Sequence, residues 1–249
     1  MNSYNLQLSN KFTFIMKKKK IKIGIVGLGR VTNHYYNLFS KNKIKNAEIV
    51  SLCDKDLSTS QFFKKNFLVN CFKDYRNPEF YKNVDLILIL TPSGSHFKIC
   101  EFFLKKKINI LCEKPLTMTP KKSLELYKLS KKNKAMCGVI FQNRFNPSIQ
   151  LVKKYIDQNK FGKLVNISIS LLWCRYQDYY NDGWHGTWKN DGGVLNQQLI
   201  HHLDIMRWIF GPIKKVNCIT TKRLNKLQAE DTAAATIKFH NGSLGIVEA

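Results

Sequence analysis

The chain has 249 residues, 44% of them hydrophobic, and a formal net charge of +24, enough length to bury a sizeable core and form two domains. No run approaches the roughly 20 apolar residues of a membrane helix, and Lys17 to Lys20 follow the apolar Phe12–Met16 stretch instead of preceding a long one, which excludes a secretory signal. A specific nucleic-acid partner is not expected either. Arginine, whose fork reads phosphates and bases, is confined to Arg30, Arg76, Arg144, Arg175, Arg207 and Arg223, and the excess is lysine in tracts such as Lys105–Lys107.

The seven cysteines (53, 71, 100, 112, 137, 174 and 218) form no CxxC pair and no zinc spacing. Reduced, buried thiols, a cytoplasmic location and no metal are expected.

In chain order, residues 1–19 read as an extension outside the folded part, with Met16 as an alternative start. Residues 20–140 alternate short apolar runs with helical patterns. The expected strands are Ile21–Val26, Ala47–Cys53, Asp85–Leu90, Ile108–Cys112 and Ala135–Val139. This alternation predicts a doubly wound parallel sheet of Rossmann type. The first strand runs into Gly27-Leu28-Gly29-Arg30-Val31-Thr32 at the start of a helix. Gly27 permits the turn, and Gly29 lets the backbone approach a pyrophosphate at the helix N-terminus, with Arg30 and Val31 beside it. Thr32 stands where the fingerprint has a third glycine, which predicts looser helix–strand packing.

Asp54 closes the second strand. A carboxylate there accepts ribose hydroxyls and favours NAD over NADP, though Lys55 softens the preference; Asp54 also suits a helix N-cap. The next loops, Thr91-Pro92-Ser93-Gly94-Ser95-His96 and Glu113-Lys114-Pro115, lie at carboxyl ends of parallel strands, where ligands bind in such sheets. Thr91, Pro92, Ser93, His96, Glu113 and Lys114 are therefore cofactor-site candidates. A partly desolvated Lys114 beside a cationic nicotinamide suits proton shuttling.

Residues 141–249 contain the stretch Trp173–Trp208, rich in tryptophan and glycine. Its last part reads as one helix with Gln197, His201, Asp204 and Trp208 on one side. Leu195, Leu199, Leu203, Met206 and Phe210 fall on the other, with His202 toward them as a satisfied core histidine. The polar stripe suits a pocket wall, or equally a buried pair of His201 and Asp204. Farther on, Thr232–Phe239 and the run to Ala249 read as strands joined by an Asn241-Gly242 hairpin.

The ordered set GIVGLGRV, TPSGSH, CEKP and Gly-Gly…His-x-x-Asp resembles the Gfo/Idh/MocA oxidoreductases. Gly29–His34, Gln142–Asn146, Trp173–Arg175 and Trp184–Trp188 resemble the branch that oxidises UDP-N-acetylglucosaminuronate at C3 for surface polysaccharides. The resemblance implies a Rossmann domain that binds NAD, followed by an α/β domain with an open, mostly antiparallel sheet, here over 141–249. It implies a nucleotide-sugar substrate and a homo-oligomer. It makes Lys114 and His201 the catalytic pair, with the choice of base open. It puts Gln142 at the cofactor, and Asn143, Arg144, Trp184, Gln197, His201 and Asp204 at the substrate. Arg144 suits a substrate anion or an inter-domain salt bridge; Asp204 suits a sugar hydroxyl or a supporting role. Gln197 departs from the branch's Asn by one methylene. Members of the family run on beyond Ala249, which implies a second sheet cut short with an unpaired edge. An inactive NAD-binding remnant and a dehydrogenase of another sugar or cyclitol are the alternatives.

Overall fold

The computed structural model describes residues 19–249. Met16 and all but the last residue of the expected extension lie outside the described residues.

The first part runs β1 (Ile21–Val26), α1 (Arg30–Ser40), β2 (Ala47–Cys53), α2 (Leu57–Phe67), β3 (Cys71–Phe72), α3 (Pro78–Tyr81), β4 (Leu86–Ile89), α4 (His96–Lys105), β5 (Asn109–Cys112), α5 (Pro120–Asn133) and β6 (Cys137–Val139). Its six strands pair in the order β3-β2-β1-β4-β5-β6, every pair parallel. This is the doubly wound Rossmann order, and the strand sequence reverses between β1 and β4. The apolar runs are buried on both sides, as a parallel sheet requires. Ile25, Leu28, Leu52 and Phe63 pack toward α1 and α2. Ile87, Ile89, Phe80, Phe103 and Leu126 pack toward α3, α4 and α5. Two-residue β3 escapes the sequence pattern, since Cys71–Phe72 is too short to alternate.

The second part runs α6 (Pro147–Asp157), β7 (Asn166–Ser170), a π turn at Leu195–Leu199, α7 (Ile200–Phe210), β8 (Ile213–Thr221), β9 (Thr232–Phe239) and β10 (Leu244–Glu248). Its sheet has the order β7-β10-β9-β8, antiparallel except for β7 with β10. One face packs Ile237, Phe239 and Val247 against Leu199, Met206 and Phe210. The other leaves Ile219, Leu244 and Ile246 exposed. The Asn-Gly hairpin is present: Gly242 adopts φ 88°, and Asn241 Oδ1 accepts from the Ser243 amide and hydroxyl.

The strand at the end of the chain lies inside the second sheet: β10 sits between β7 and β9, and Ala249 exchanges two backbone hydrogen bonds with Ala233. The edges among the described residues are β7 and β8. Two expectations, on Thr32 and on the cysteines, are corrected here. Thr32 does not loosen the packing. It is fully buried and donates its hydroxyl to the Gly27 carbonyl at 2.8 Å, fastening α1 to the turn before it. The seven cysteines are free thiols, but Cys174 and Cys218 are exposed instead of buried.

Candidate active site

The carboxyl ends of β1, β4 and β5 carry three loops at the point where strand order reverses. In the first, Gly27 has φ +97°, and a Cβ there would lie 2.8 Å from the Leu90 and Thr91 backbone. Only glycine lets β1 and β4 meet so closely. Gly29 is the reverse case: a Cβ there would meet nothing within 4 Å. Above it α1 opens with no side-chain cap and no acid in its first turn, so its amide end is free to face an anion. Arg30 and Val31 are exposed beside this opening. Asp54 stands at the tip of β2, its Oδ2 accepting from the Leu28 amide at 2.6 Å and its Oδ1 from the Asp56 amide at 2.9 Å. The N-cap of α2 is Asp56, which accepts from the Ser58 amide; Asp54 is left to the loop. Open backbone at Gly29 with a fixed carboxylate alongside fits a dinucleotide.

The other two loops are tied together by His96. Its ring is fully buried, with Nδ1 at 2.7 Å from the Pro115 carbonyl and Nε2 at 2.8 Å from the Thr91 carbonyl. This corrects the cofactor role expected for His96: both ring nitrogens already face backbone, and its work is to clamp one loop to the other. Ser93 is buried, Pro92 exposed and Thr91 half-buried, its hydroxyl accepting from Ser95 at 2.6 Å. Glu113 accepts from the Tyr35 hydroxyl at 3.3 Å, and burial pushes its carboxyl above the usual range.

Lys114 crosses from the first part to the second. Its Nζ donates to both the backbone carbonyl and the side-chain Oε1 of Gln197, each at 2.6 Å. Burial holds this ammonium below its ordinary pKa, while Glu113 and Asp191 oppose that shift. Both acceptors sit in the π turn, which corrects the reading of one continuous α-helix. A π turn takes its bonds from i to i+5, disturbing the regular ladder at a place where function often resides. Gln197 therefore faces Lys114 directly instead of sharing a simple stripe with His201.

His201 lies on the first turn of α7, its ring edge-on to Phe141 at 6.1 Å. Its Nδ1 is buried with no hydrogen-bond partner. Burial first, then the charge of Lys114, depresses its pKa to about 4, so it is neutral at ordinary pH. His202 is not the satisfied core histidine expected: its Nδ1 too is buried without a partner, and its ring meets Trp173 edge-on.

The turn Gln142–Phe145 packs against α7, with Gln142 exposed and Asn143 half-buried. It delivers Arg144, whose Nε and Nη2 each donate to an Asp204 oxygen at 2.5 Å, with the guanidinium 5.2 Å from the Trp208 ring centroid. Arg144 does form a salt bridge, but with Asp204 inside the second part and not across the two domains as expected. Trp184 stacks on His185 at 3.6 Å between centroids. The adjoining Tyr179 ring has Arg30 at 5.9 Å and Arg175 at 5.5 Å.

Two features of the site were absent from the sequence reading. At Gly94 a Cβ would lie 2.3 Å from the Lys189 carbonyl and 2.5 Å from Asn190 Oδ1, so this glycine lets the second part close on the Thr91–His96 loop. Its place in TPSGSH was the available signal. Asp191 is 1% exposed, and nothing in its local pattern distinguishes it from a surface turn residue.

Six parallel strands in Rossmann order, an open Gly29 loop and a half-buried lysine reaching a polar helix fit a nicotinamide-dependent dehydrogenase. The profile of the oxidoreductase family with the NAD-binding Rossmann fold, Gfo/Idh/MocA, matches residues 21–141, and that of the Gfo/Idh/MocA C-terminal domain matches residues 149–249. The chain belongs to this family. The WlbA dehydrogenase of Chromobacterium violaceum, solved with NADH and UDP-GlcNAcA, superposes with a TM-score of 0.89 at 28% identity, over 94% of this chain and 68% of that one. The Bordetella pertussis WlbA dehydrogenase, in complex with the same two ligands, gives 0.88 and 28%, over 92% and 72%. A myo-inositol 2-dehydrogenase of Thermotoga maritima is 24% identical over 92% of this chain and 68% of its own length. This Gfo/Idh/MocA chain thus spans about two thirds of the proteins it resembles. Among its described residues, no helix is long and apolar enough to cross a membrane.

Proposed function

We propose that this chain oxidises a secondary hydroxyl, C3 of UDP-N-acetylglucosaminuronate or a similar nucleotide-linked sugar acid, with NAD, in the synthesis of a surface polysaccharide. One observation carries the chemistry: Lys114 Nζ commits two N–H donors to Gln197. A neutral amine has two N–H bonds and one lone pair. With both bonds held, the lone pair is left to take the proton of a substrate hydroxyl. NAD, when bound, supplies the acceptor for the hydride that leaves the same carbon as the carbonyl forms.

On this reading Lys114 is the base and His201 is not. A histidine whose pKa lies at about 4 accepts a proton poorly near neutrality, whereas burial lowers the lysine from its ordinary value and so favours its neutral, proton-accepting form. Neutral His201 donates a ring N–H to the sugar oxygen and orients it. Glu113 and Asp54 hold the loops against the cofactor. Trp184 and Asn143 border the substrate, and the Arg144–Asp204 pair braces α7 behind His201. The split at residue 140, a homo-oligomer and a cytoplasmic location belong to the same reading and rest on the family. The UDP-sugar is favoured by 28% identity to the two WlbA dehydrogenases; a cyclitol is the second reading, from the inositol dehydrogenase likeness.

The test is NADH formation from NAD with UDP-N-acetylglucosaminuronate, free glucuronate and myo-inositol, in wild type and Lys114→Met. Turnover on the UDP-sugar alone, reduced about 10²–10⁴-fold in the variant, is expected. Turnover on inositol alone replaces the substrate, and NAD binding without turnover on any of them favours an inactive remnant.

A further inference from the structure

Asp191 is buried one turn before the π segment, and its carboxylate is only half used. Oδ2 accepts from the Gly186 amide at 2.7 Å, which closes the loop from Gly186 to Asp191. Oδ1 is buried with no hydrogen-bond partner. Loop closure needs one neutral acceptor, which an asparagine offers equally well. The second oxygen and the negative charge are surplus to it, and burying an unpaired charge is costly.

The charge has one attractive neighbour. Asp191 sits at the seam of the two parts: the Gly94 amide donates to the carbonyl of adjacent Asn190 at 3.2 Å, and the Gln197 amide donates to Gly193 at 2.9 Å. Gln197 is the residue that holds Lys114, so carboxylate and ammonium are linked through a single short turn. We propose that Asp191 is a positioning residue for Lys114: its buried carboxylate is the fixed counter-charge against which the lysine takes up and releases the substrate's proton.

The surroundings agree. Desolvation raises Asp191 to about 6, Lys114 opposes that rise, and the carboxylates of Asp182 and Glu230 add to it. Lys114 in turn feels Glu113 from its own loop and Asp191 from across the seam. The other titratable groups that feel Lys114 are His96, His185 and His201; Tyr179 and Tyr180 feel Asp191. Asp191 is thus the one carboxylate of the second part that acts on the ammonium. As Lys114 gains a proton during oxidation, an opposed negative charge stabilises the ion formed in a low-dielectric site.

The inference rests on Lys114 as the base, and two measurements separate it from that assignment. Asp191→Asn keeps an acceptor for the Gly186 amide and removes the charge. The acidic limb of kcat/KM for NAD and UDP-N-acetylglucosaminuronate is expected to move about half a pH unit or more to lower pH, because the neutral amine is reached earlier. A loss of rate that is uniform with pH, with the limb unmoved, overturns the proposal.

The second measurement needs no turnover. In wild-type protein carrying carboxyl-labelled aspartate, the Asp191 carboxyl is expected to titrate at about 6, apart from Asp74, Asp182 and Asp231, which are held low. Coupling is reciprocal, so Lys114→Met is expected to move that titration upward. An unchanged titration overturns the proposal even if Asp191→Asn does not fold or no sugar is turned over.

Discussion

The two walls of the cleft are built on opposite terms. On the Rossmann wall the polar groups near the loops have partners: Thr32 on Gly27, Asp54 on the Leu28 and Asp56 amides, and His96 between the Thr91 and Pro115 carbonyls, to one of which its single N–H donates. On the facing wall Asp191 Oδ1, Gln198 Oε1, His201 Nδ1 and His202 Nδ1 are buried without hydrogen bonds, and these are the only such side-chain atoms among the described residues. Buried polar atoms are normally satisfied, and each exception costs about 1–3 kcal/mol. The comparison teaches that the Rossmann wall is a finished frame, while unsatisfied polar burial is concentrated between residues 191 and 202, the stretch to which the proposed function assigns the chemistry.

The sharpest way to break this contrast is a pair of glycine variants. Gly27→Ala forces a Cβ onto the Leu90–Thr91 backbone at positive φ, and a loss of about 3 kcal/mol or more is expected in urea unfolding. Gly29→Ala meets nothing and should unfold within about 0.5 kcal/mol of wild type. Its NAD affinity, followed by fluorescence titration, should nevertheless fall. Equal destabilisation of the two would show that the Gly29 opening is structural.

Next in size is His96→Leu, which removes the ring N–H that a buried loop carbonyl accepts and the ring that packs between the two loops; about 1–3 kcal/mol is expected in the same unfolding experiment. On the opposite wall, His201→Leu removes an unpartnered polar atom and should cost less than His96→Leu while lowering turnover more. The reverse ranking would erase the distinction between frame and functional wall.

Arg144→Ala and Asp204→Ala are each expected to cost about 1–2 kcal/mol, and the double variant no more than the larger single, because the two form one bidentate pair. Additive effects would mean that Arg144 has work apart from Asp204, such as holding a substrate anion.

The smallest effect is in pH. His201 is depressed from 6.5 to about 4, and His96, His185 and His202 are lowered as well. Below pH 6.5 the unfolded chain therefore binds more protons than the folded one, so their stabilisation, full above 6.5, is lost on acidification. Asp191, raised to about 6, acts oppositely from there downward. The melting temperature should fall as pH drops through 6.5 and go on falling below 6, with Asp191 offsetting part of the slope there; a rise on acidification from 6.5 would contradict the neutral, desolvated state of the histidines.

Much of this was legible in the residues. The run Ile21–Val26 into Gly27-Leu28-Gly29 specified a buried parallel strand, its turn and an open approach, since each depends on local backbone and on a two-sided apolar strand. Lys114 and His201 were legible as site residues through the order of short motifs. What was not legible depends on contacts distant in sequence. No periodicity reveals that Thr32 will find the Gly27 carbonyl, or that His96 will face carbonyls from two loops. A histidine at the mouth of a strand reads alike as ligand or clamp until both loops are placed. The π turn escaped for the same reason: its i to i+5 spacing has no side-chain signature, so a regular 100° helix was expected through Gln197.

The sequence by itself determined the parallel Rossmann-type sheet and its glycine turn, because apolar period and glycine spacing act over a few residues; the second sheet and the candidate pair Lys114 and His201 came from the family resemblance that its ordered motifs carry. Tertiary structure alone decided that Gln197 grips Lys114 with two acceptors, that Arg144 closes on Asp204, and that Asp191 is buried half-satisfied at the seam. Hydrogen bonding and charge burial are set by which groups folding brings within a few ångströms and by the water it removes, and neither is written in the local order of residues.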